Sequence, residues 1–333
     1  MNLVLTILGI LLILFTTFDV LKTTISFSGG GPMSRTISAW VWWVHVTISR
    51  RFQLCSLRRM VGCACLLASV GLWVLLLYAG YALIFSAWDG AVVDSTTKEP
   101  AALIARIYYT GFTLFTLGVG DYVPGGPLWM IVTAVASFHG LFLITLSITY
   151  LISVVSAVVD QHALGGMIRG FGETSSDILH AAWNGKDFRD LEPFLATVSE
   201  RLETHSQRHL AYPIIHNFPS HDPREALPVR LLALHEATWL ASRGSEEQSR
   251  LNQLSVRAVL NTFEAFLDKV DRFDEESDKA EVGEVGRGAR SLPIKPELVI
   301  GDPAFEQQRE ILLRMAGESN WLLQPLVLKD GDC

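Results

Sequence analysis

Residues 113–126 read TLFTLGVGDYVPGG. Gly118 and Gly120 stand two apart within it, followed at once by Asp121. A glycine costs a helix interior about 1 kcal/mol relative to alanine, so a pair at this spacing does not belong in a spanning helix. What glycine supplies is access to positive φ, which most side chains avoid. The stretch predicts a non-helical backbone that takes special dihedral angles and presents its peptide groups to something.

Its neighbours constrain what that something is. Met60–Trp88 on one side and Trp129–Val159 on the other contain no charged residue, and the second holds His139 as its one histidine. Spanning a bilayer takes about 20 apolar residues, so both are read as membrane helices. Asn2–Val20 is broken only by Asp19. Lacking a basic leader and an A-x-A-like cleavage site, it is read as an anchor helix rather than a signal peptide. Thr36–Ser49 (TISAWVWWVHVTIS) is apolar and tryptophan-rich but only 14 residues long, which favours a helix lying at the membrane interface. Arg50, Arg51, Arg58 and Arg59 crowd the start of the span at 60–88, whereas the loop after it, DGAVVDSTTKEP, is acidic. Basic residues favour the cytoplasmic side. Residues 50–59 are therefore expected inside, 89–100 outside, and the chain beyond residue 160 inside.

Charge divides the molecule the same way. Residues 1–160 carry eight basic and six acidic residues against 19 and 28 in 161–333, about +2 and −9 within the chain's −7. One half reads as membrane, the other as an acidic soluble domain. Cys55, Cys63, Cys65 and Cys333 form neither a disulfide framework nor a paired zinc motif.

Between the two long spans, Ala101–Leu128 is too short to cross out and back as two helices. AALIARIYYTGFTLF at 101–115 has helix-compatible spacing and leads directly into the glycines. Irregular backbone is tolerated at membrane depth only where protein buries it or it lines a watery cavity. Its carbonyls need a partner, and a cation whose hydration shell they replace is the obvious one.

Helix, short re-entrant helix, T-x-G-x-G-D, helix: this order resembles the pore module of potassium channels, whose filter usually reads TVGYGD. Thr116, Leu117, Gly118, Val119, Gly120 and Asp121 fill the six positions. Tyr108 and Tyr109 fall where the family often has an aromatic pair, and Thr113 matches a frequent threonine. By resemblance, the carbonyls of Thr116, Leu117, Gly118 and Val119 and the Thr116 hydroxyl would hold K⁺ in successive layers. Asp121 would sit behind the outer mouth, holding the filter and favouring cations. Ring coordination needs four copies, so the resemblance implies a homotetramer. This chain departs from the pattern in two places. Val119 stands where an aromatic usually braces the filter, and Leu117 is longer than the usual valine. If selectivity rests on rigidity, Val119 relaxes it; if it rests on the number of carbonyl dipoles, little changes.

In the last span Thr145, Thr149, Ser153, Ser156 and Asp160 recur three or four apart, on one helical face. They are read as a polar lining that ends in a ring of Asp160 at the inner mouth, the alternative being hydroxyls bonded to their own helix. Gly140 falls near the family's hinge glycine, and close helix packing explains it equally well. His139 could titrate or simply find a hydrogen-bond partner. No span carries the repeated arginines of a voltage sensor.

Beyond residue 160 the chain reads as helical. Asp222-Pro223-Arg224-Glu225 and Ser245-Glu246-Glu247-Gln248 are helix-start signatures. Val256, Leu260, Phe263, Leu267 and Val270 form a short apolar stripe. Residues 274–290 read as a disordered linker, and a last helix is expected within Pro303–Gly317. GGMIRGFG at 165–172 is read as a flexible joint. His205, His209, His216 and His221 cluster, the first two at i, i+4 spacing, but no cysteines or second metal-like pair complete a zinc site.

The expectation is an all-α membrane protein with a tetrameric potassium-channel-like pore. Residues 1–22 form an anchor helix and 23–59 a cytoplasmic or interfacial segment. Residues 60–160 form the pore domain, with an outer helix at 60–88, a pore helix at 101–115, a filter at 116–121 and an inner helix at 129–160. Residues 161–333 form an acidic helical cytoplasmic domain. The expected function is passive, potassium-selective conduction by a multi-pass cell-membrane protein. Its partners would be K⁺, the lipid bilayer and further copies of itself, with no catalytic residue, no cofactor beyond the permeant ion and no nucleic acid. The alternatives are a weakly selective cation channel and a membrane-anchored receptor whose pore-like region does not conduct.

Overall fold

Apolar length decides the first half of the molecule. The computed structural model describes residues 2–26, 30–52, 60–220, 222, 225–247, 250–270 and 291–323. Among them three helices are long and apolar enough to cross a membrane: α1 (Asn2–Ile25), α3 (Val61–Ala87) and the 43-residue α5 (Pro127–Arg169); α2 is Pro32–Phe52 and α4 Leu103–Leu114. At 1.5 Å per residue α5 measures about 65 Å, roughly twice a bilayer's hydrocarbon core. The described residues fall into two compact units, 1–43 with 63–154 and 44–62 with 155–333.

In the first unit, α3 turns one face inward through Trp73, Leu77, Tyr81 and Phe85, all buried at a spacing of four. α1 crosses α3 where Gly9 meets Gly80, so close that a Cβ on either would overlap the other helix, the small-residue packing typical of membrane helices. Asp19, the one charge in the Asn2–Val20 stretch, is fully buried. Its carboxylate accepts from the Met33 N–H at 2.8 Å, the Ser34 N–H at 3.3 Å, the Ser34 hydroxyl at 2.5 Å and Trp73 Nε1 at 2.9 Å. Met33 and Ser34 lie in the first turn of α2, whose amides have no partner within the helix. α1 thus supplies the cap for α2, and α2 runs 21 residues where sequence alone marked 14.

One departure from the all-α expectation is a short antiparallel pair. β1 (Val92–Asp94) pairs with β2 (Tyr122–Pro124) in the register Val92↔Pro124, Val93↔Val123, Asp94↔Tyr122. β-branched residues at 92, 93 and 123 suit a pleated backbone, and both stretches lie outside the helices.

The second unit is helical: α6 (Ser175–Ala182), α7 (Glu192–Ala211), α8 (Leu227–Trp239), α9 (Gln253–Val270) and α10 (Pro303–Leu323). α6 begins with a complete capping box between Thr174 and Asp177. α7 packs on α9 and α8 on both α6 and α10. α8 is buried from Arg230 to Trp239, the mark of a central helix. The core gathers Leu164 and Ile168 from α5 with Phe188, Leu202, Leu231, Phe263 and Phe305.

Several sequence expectations need correction here. No helix begins at Ser245: its hydroxyl donates back to the Ala241 carbonyl at 2.6 Å, closing a π turn at Leu240–Gly244. The helix begins at Gln253 instead, where the Asn252 side chain accepts from the Leu254 N–H at 2.8 Å. After the other start signature the helix begins at Leu227, behind Ala226 and without a side-chain cap, so Asp222 does not cap it; Pro223 and Arg224 lie outside the described residues. The α9 stripe gains Val259 and Phe266. Gly165 and Gly166 are no joint; α5 continues through them to Arg169, and Gly165 lies where α5 passes against the Glu225 backbone. Arg58, Arg59, Gln248, His221 and the linker at 274–290 lie outside the described residues.

Candidate functional site

Arg106 anchors the site. It is the one charge in the 101–115 run, is 7% exposed, and sits in the first turns of α4. Its guanidinium donates to the Ala101 carbonyl at 2.8 Å, to the Ser86 carbonyl at 3.2 Å and to Asp89 at 2.7 Å. The end of α3 is thereby tied to the start of α4. Farther along α4, Tyr78 of α3 donates its hydroxyl to the Ile107 carbonyl at 2.9 Å. The Tyr109 and Thr133 hydroxyls lie 2.6 Å apart, joining α4 to α5. Phe85 meets the Tyr109 ring edge-on at 5.2 Å.

The chain leaves α4 by using the helix's own last carbonyls. The N–H groups of Phe115, Thr116 and Leu117 donate to Gly111 (3.0 Å), Thr113 (3.2 Å) and Phe112 (2.8 Å). The backbone then alternates: φ is +55° at Thr116, +63° at Gly118 and +87° at Gly120, with none positive at Leu117 or Val119. In an ordinary extended strand successive carbonyls point to opposite sides; alternating handedness turns them to the same side. Among the described residues, no donor reaches the carbonyls of Thr116, Leu117, Gly118 or Val119, and residues 115–121 are all exposed. A row of acceptors without donors, in an apolar unit, is what a dehydrated cation requires.

The far end of the row is held by the strand pair. The Asp121 carbonyl accepts from the Ser95 N–H at 2.9 Å, and Asp94 closes the loop by accepting from the Thr96 and Thr97 amides, each at 2.8 Å. Those bonds, chiefly from the Thr97 and Thr96 backbone, hold the Asp94 carboxyl below the usual carboxylate range. Tyr122 leaves the row with its ring 6.4 Å from Tyr108 of α4, edge-on. Val119 offers no ring, and the aromatic contact lies three residues later.

Gly140 is a point of close approach. A Cβ there would overlap the carbonyl of Leu114, at the end of α4, which favours the packing explanation for this glycine. His139 beside it is bonded on both sides, to Thr17 Oγ1 at 3.0 Å and to the Tyr81 hydroxyl at 3.3 Å, linking α1, α3 and α5.

Along α5, Thr145, Thr149 and Ser153 donate to the carbonyls four residues earlier at 2.9, 3.0 and 2.9 Å. These bonds are the alternative reading of the stripe, hydroxyls serving their own helix; Thr145 and Thr149 are exposed, with oxygen lone pairs available. Ser156 is exposed as well. Asp160 is not a free acid, because it is paired with Arg208 of α7, whose guanidinium also donates to the Ser156 carbonyl at 3.3 Å.

No group of three His, Cys, Asp or Glu among the described residues could hold a metal. His205 and His209 have rings 6.2 Å apart, and His209 lies 6.1 Å from His216. Burial pushes His205 down to about 4 and His209 to about 3, so both are neutral at ordinary pH. Sequence reasoning missed Arg106, Tyr122 and Arg208 as site residues. A lone arginine in an apolar run was the available signal for the first; the other two act through contacts that no local pattern encodes.

Residues 62–157 match the family model described as an ion channel. Over 263 residues the chain is 36% identical to the uncharacterized membrane protein YdjJ of Bacillus subtilis (strain 168), an alignment spanning 79% of this chain and 76% of that protein. No solved structure matches it.

Proposed function

This chain belongs to one family with the Bacillus subtilis membrane protein and carries an ion channel family domain at residues 62–157, and we propose that it is a potassium-selective channel subunit that assembles as a homotetramer. The observation that carries the reading is the row of donor-free carbonyls from Thr116 to Val119 on a backbone of alternating handedness. Four copies around one axis turn each carbonyl into a ring. K⁺ exchanges its water for the rings formed by Thr116, Leu117, Gly118 and Val119, with the Thr116 hydroxyl completing the inner layer, and neighbouring ions advance by mutual repulsion. Asp121 contributes negative charge near the mouth, and Thr145, Thr149 and Ser153 line the path beyond the rings. The process is passive and no bond is made or broken. In this reading the protein is a multi-pass cell-membrane protein with its second unit in the cytoplasm.

A weakly selective cation pore is the second reading, and it rests on Val119, which is 44% exposed and brings no ring against α4. Flux into liposomes from the purified full chain decides. Potassium selectivity requires K⁺ uptake well above Na⁺ uptake, block by barium, and loss of flux in Gly118→Ala, where a side chain meets φ of +63°. Equal K⁺ and Na⁺ uptake favours the second reading. Absence of flux for either ion, with Gly118→Ala indistinguishable from the parent, overturns both and leaves a membrane-anchored receptor.

A further inference from the structure

Asp160 is the only carboxylate in the 43 residues of α5. It continues, at helical spacing, the face that carries Thr145, Thr149, Ser153 and Ser156. A lone acid on that face is the natural means of concentrating cations at the end of a conducting path. In this chain its charge is met by Arg208, whose guanidinium engages the Asp160 carboxylate and the Ser156 carbonyl one turn earlier.

Arg208 is placed by a well-anchored element. It lies in the last turn of α7, a helix whose Leu195, Val198 and Leu202 are buried in the core of the second unit. Near the same end of α7, Lys269 of α9 donates to Ser206 at 2.8 Å and pairs with Glu203 at 3.7 Å. The neighbouring acid Glu203 thus has its own cation, and Arg208 is directed to Asp160. The Asp160 and Arg208 side chains are 44% and 33% exposed, and a pair this open to water contributes little to stability. What it changes is charge. Pairing takes this turn of α5 from net negative to neutral in each copy.

We propose that Arg208 is a conductance-setting residue, which cancels the charge of Asp160 and so lowers the cation concentration at this end of the pathway. The proposal rests on the channel reading above and goes beyond it by assigning control of ion supply to a residue of the second unit. The operative quantity is electrostatic, so it depends on ionic strength in a way that a packing role does not.

The test is unitary K⁺ conductance of the reconstituted full-length protein at about 0.1 M and about 1 M KCl, where the screening lengths are about 10 and 3 Å. Arg208→Gln is expected to raise conductance about twofold at the lower salt, with the difference closing at the higher. Asp160→Asn, which leaves Arg208 unopposed, is expected to lower it at the lower salt and provides a second measurement should Arg208→Gln fail to assemble. Arg208→Lys keeps the charge and the parental conductance, and Arg208→Gln combined with Asp160→Asn loses the gain. If Arg208→Gln or Asp160→Asn conducts like the parent at both salts, or changes by the same factor at both, the proposal is overturned while the channel reading stands. A parent chain that passes no current overturns the channel reading and this proposal with it.

Discussion

Val119 and Gly140 are the two positions where one side chain should tell most. Val119 carries one of the donor-free carbonyls but brings no ring against α4, and the aromatic contact is instead between Tyr122 and Tyr108 at 6.4 Å. Val119→Tyr is expected to hold or raise the K⁺/Na⁺ permeability ratio, read from reversal potentials, since an added ring at this point stiffens the row; a clear fall contradicts that account. Gly140→Ala places a methyl group against the Leu114 carbonyl. The end of α4 cannot yield without shifting Thr116, whose amide bonds back into that helix. Overpacking of this kind costs about 1–3 kcal/mol, and the variant should melt earlier in detergent and conduct less. An unchanged melting temperature together with unchanged flux would show that α5 can move aside. The T-x-G-x-G-D positions were legible in the sequence because two glycines at i, i+2 have few uses in an apolar setting. The positive φ at Thr116 was not, since threonine seldom adopts it.

Helix ends show how far local signals reach. The capping box at Thr174 and Asp177 is complete within four residues and forms. The signature at Ser245 is equally local and does not, because Ser245 pairs with Ile294 and its hydroxyl turns back to Ala241. α2 is the opposite case, a helix whose cap comes from another helix and leaves no trace in the adjacent sequence. That dependence makes Asp19 testable. Asp19→Ala strips a partner from the Met33 and Ser34 amides and from Trp73 Nε1. Each buried donor left unpaired costs about 1–3 kcal/mol, so a loss of several degrees in melting temperature is expected, with faster amide exchange at 33 and 34. Asp19→Asn, which keeps an acceptor oxygen, should recover part of it. Exchange at 33 and 34 no faster than in the parent would show that the cap is dispensable.

At the scale of the molecule, the charge split in the sequence divides the chain near residue 160, whereas the compact units are 1–43 with 63–154 and 44–62 with 155–333. The packing of α6–α10 was not legible, because their order around α8 depends on which faces meet rather than on any one periodicity. That packing buries histidines. His235 is fully buried, stacked on Phe305 at 5.4 Å and bonded to Gln308 at 3.0 Å. Burial pushes it down to about 4, against the Gln308 bond and with Arg309 adding to the fall; burial alone takes His205 to about 4 as well. Free histidine titrates near 6.5. Between about 6.5 and 4 the unfolded chain binds protons at these two rings that the folded chain refuses, so their contribution to stability falls as pH falls through that window and levels off below it. The loss is on the order of 3 kcal/mol per histidine. Thermal melts of the full chain followed by helical circular dichroism should show it, with a shallower slope in His235→Gln. A melting temperature flat across the window would contradict the assignment of these rings as neutral.

The strand pair has a practical consequence for spectroscopy. Ser95 lies 26 positions before Asp121 in the chain, yet its amide proton is bonded to the Asp121 carbonyl. An isotope-labelled Ser95 amide is therefore a remote reporter on the far end of the carbonyl row. In the proposed channel its chemical shift should respond when K⁺ is exchanged for Na⁺, which would allow occupancy to be followed without altering any residue proposed to meet the ion.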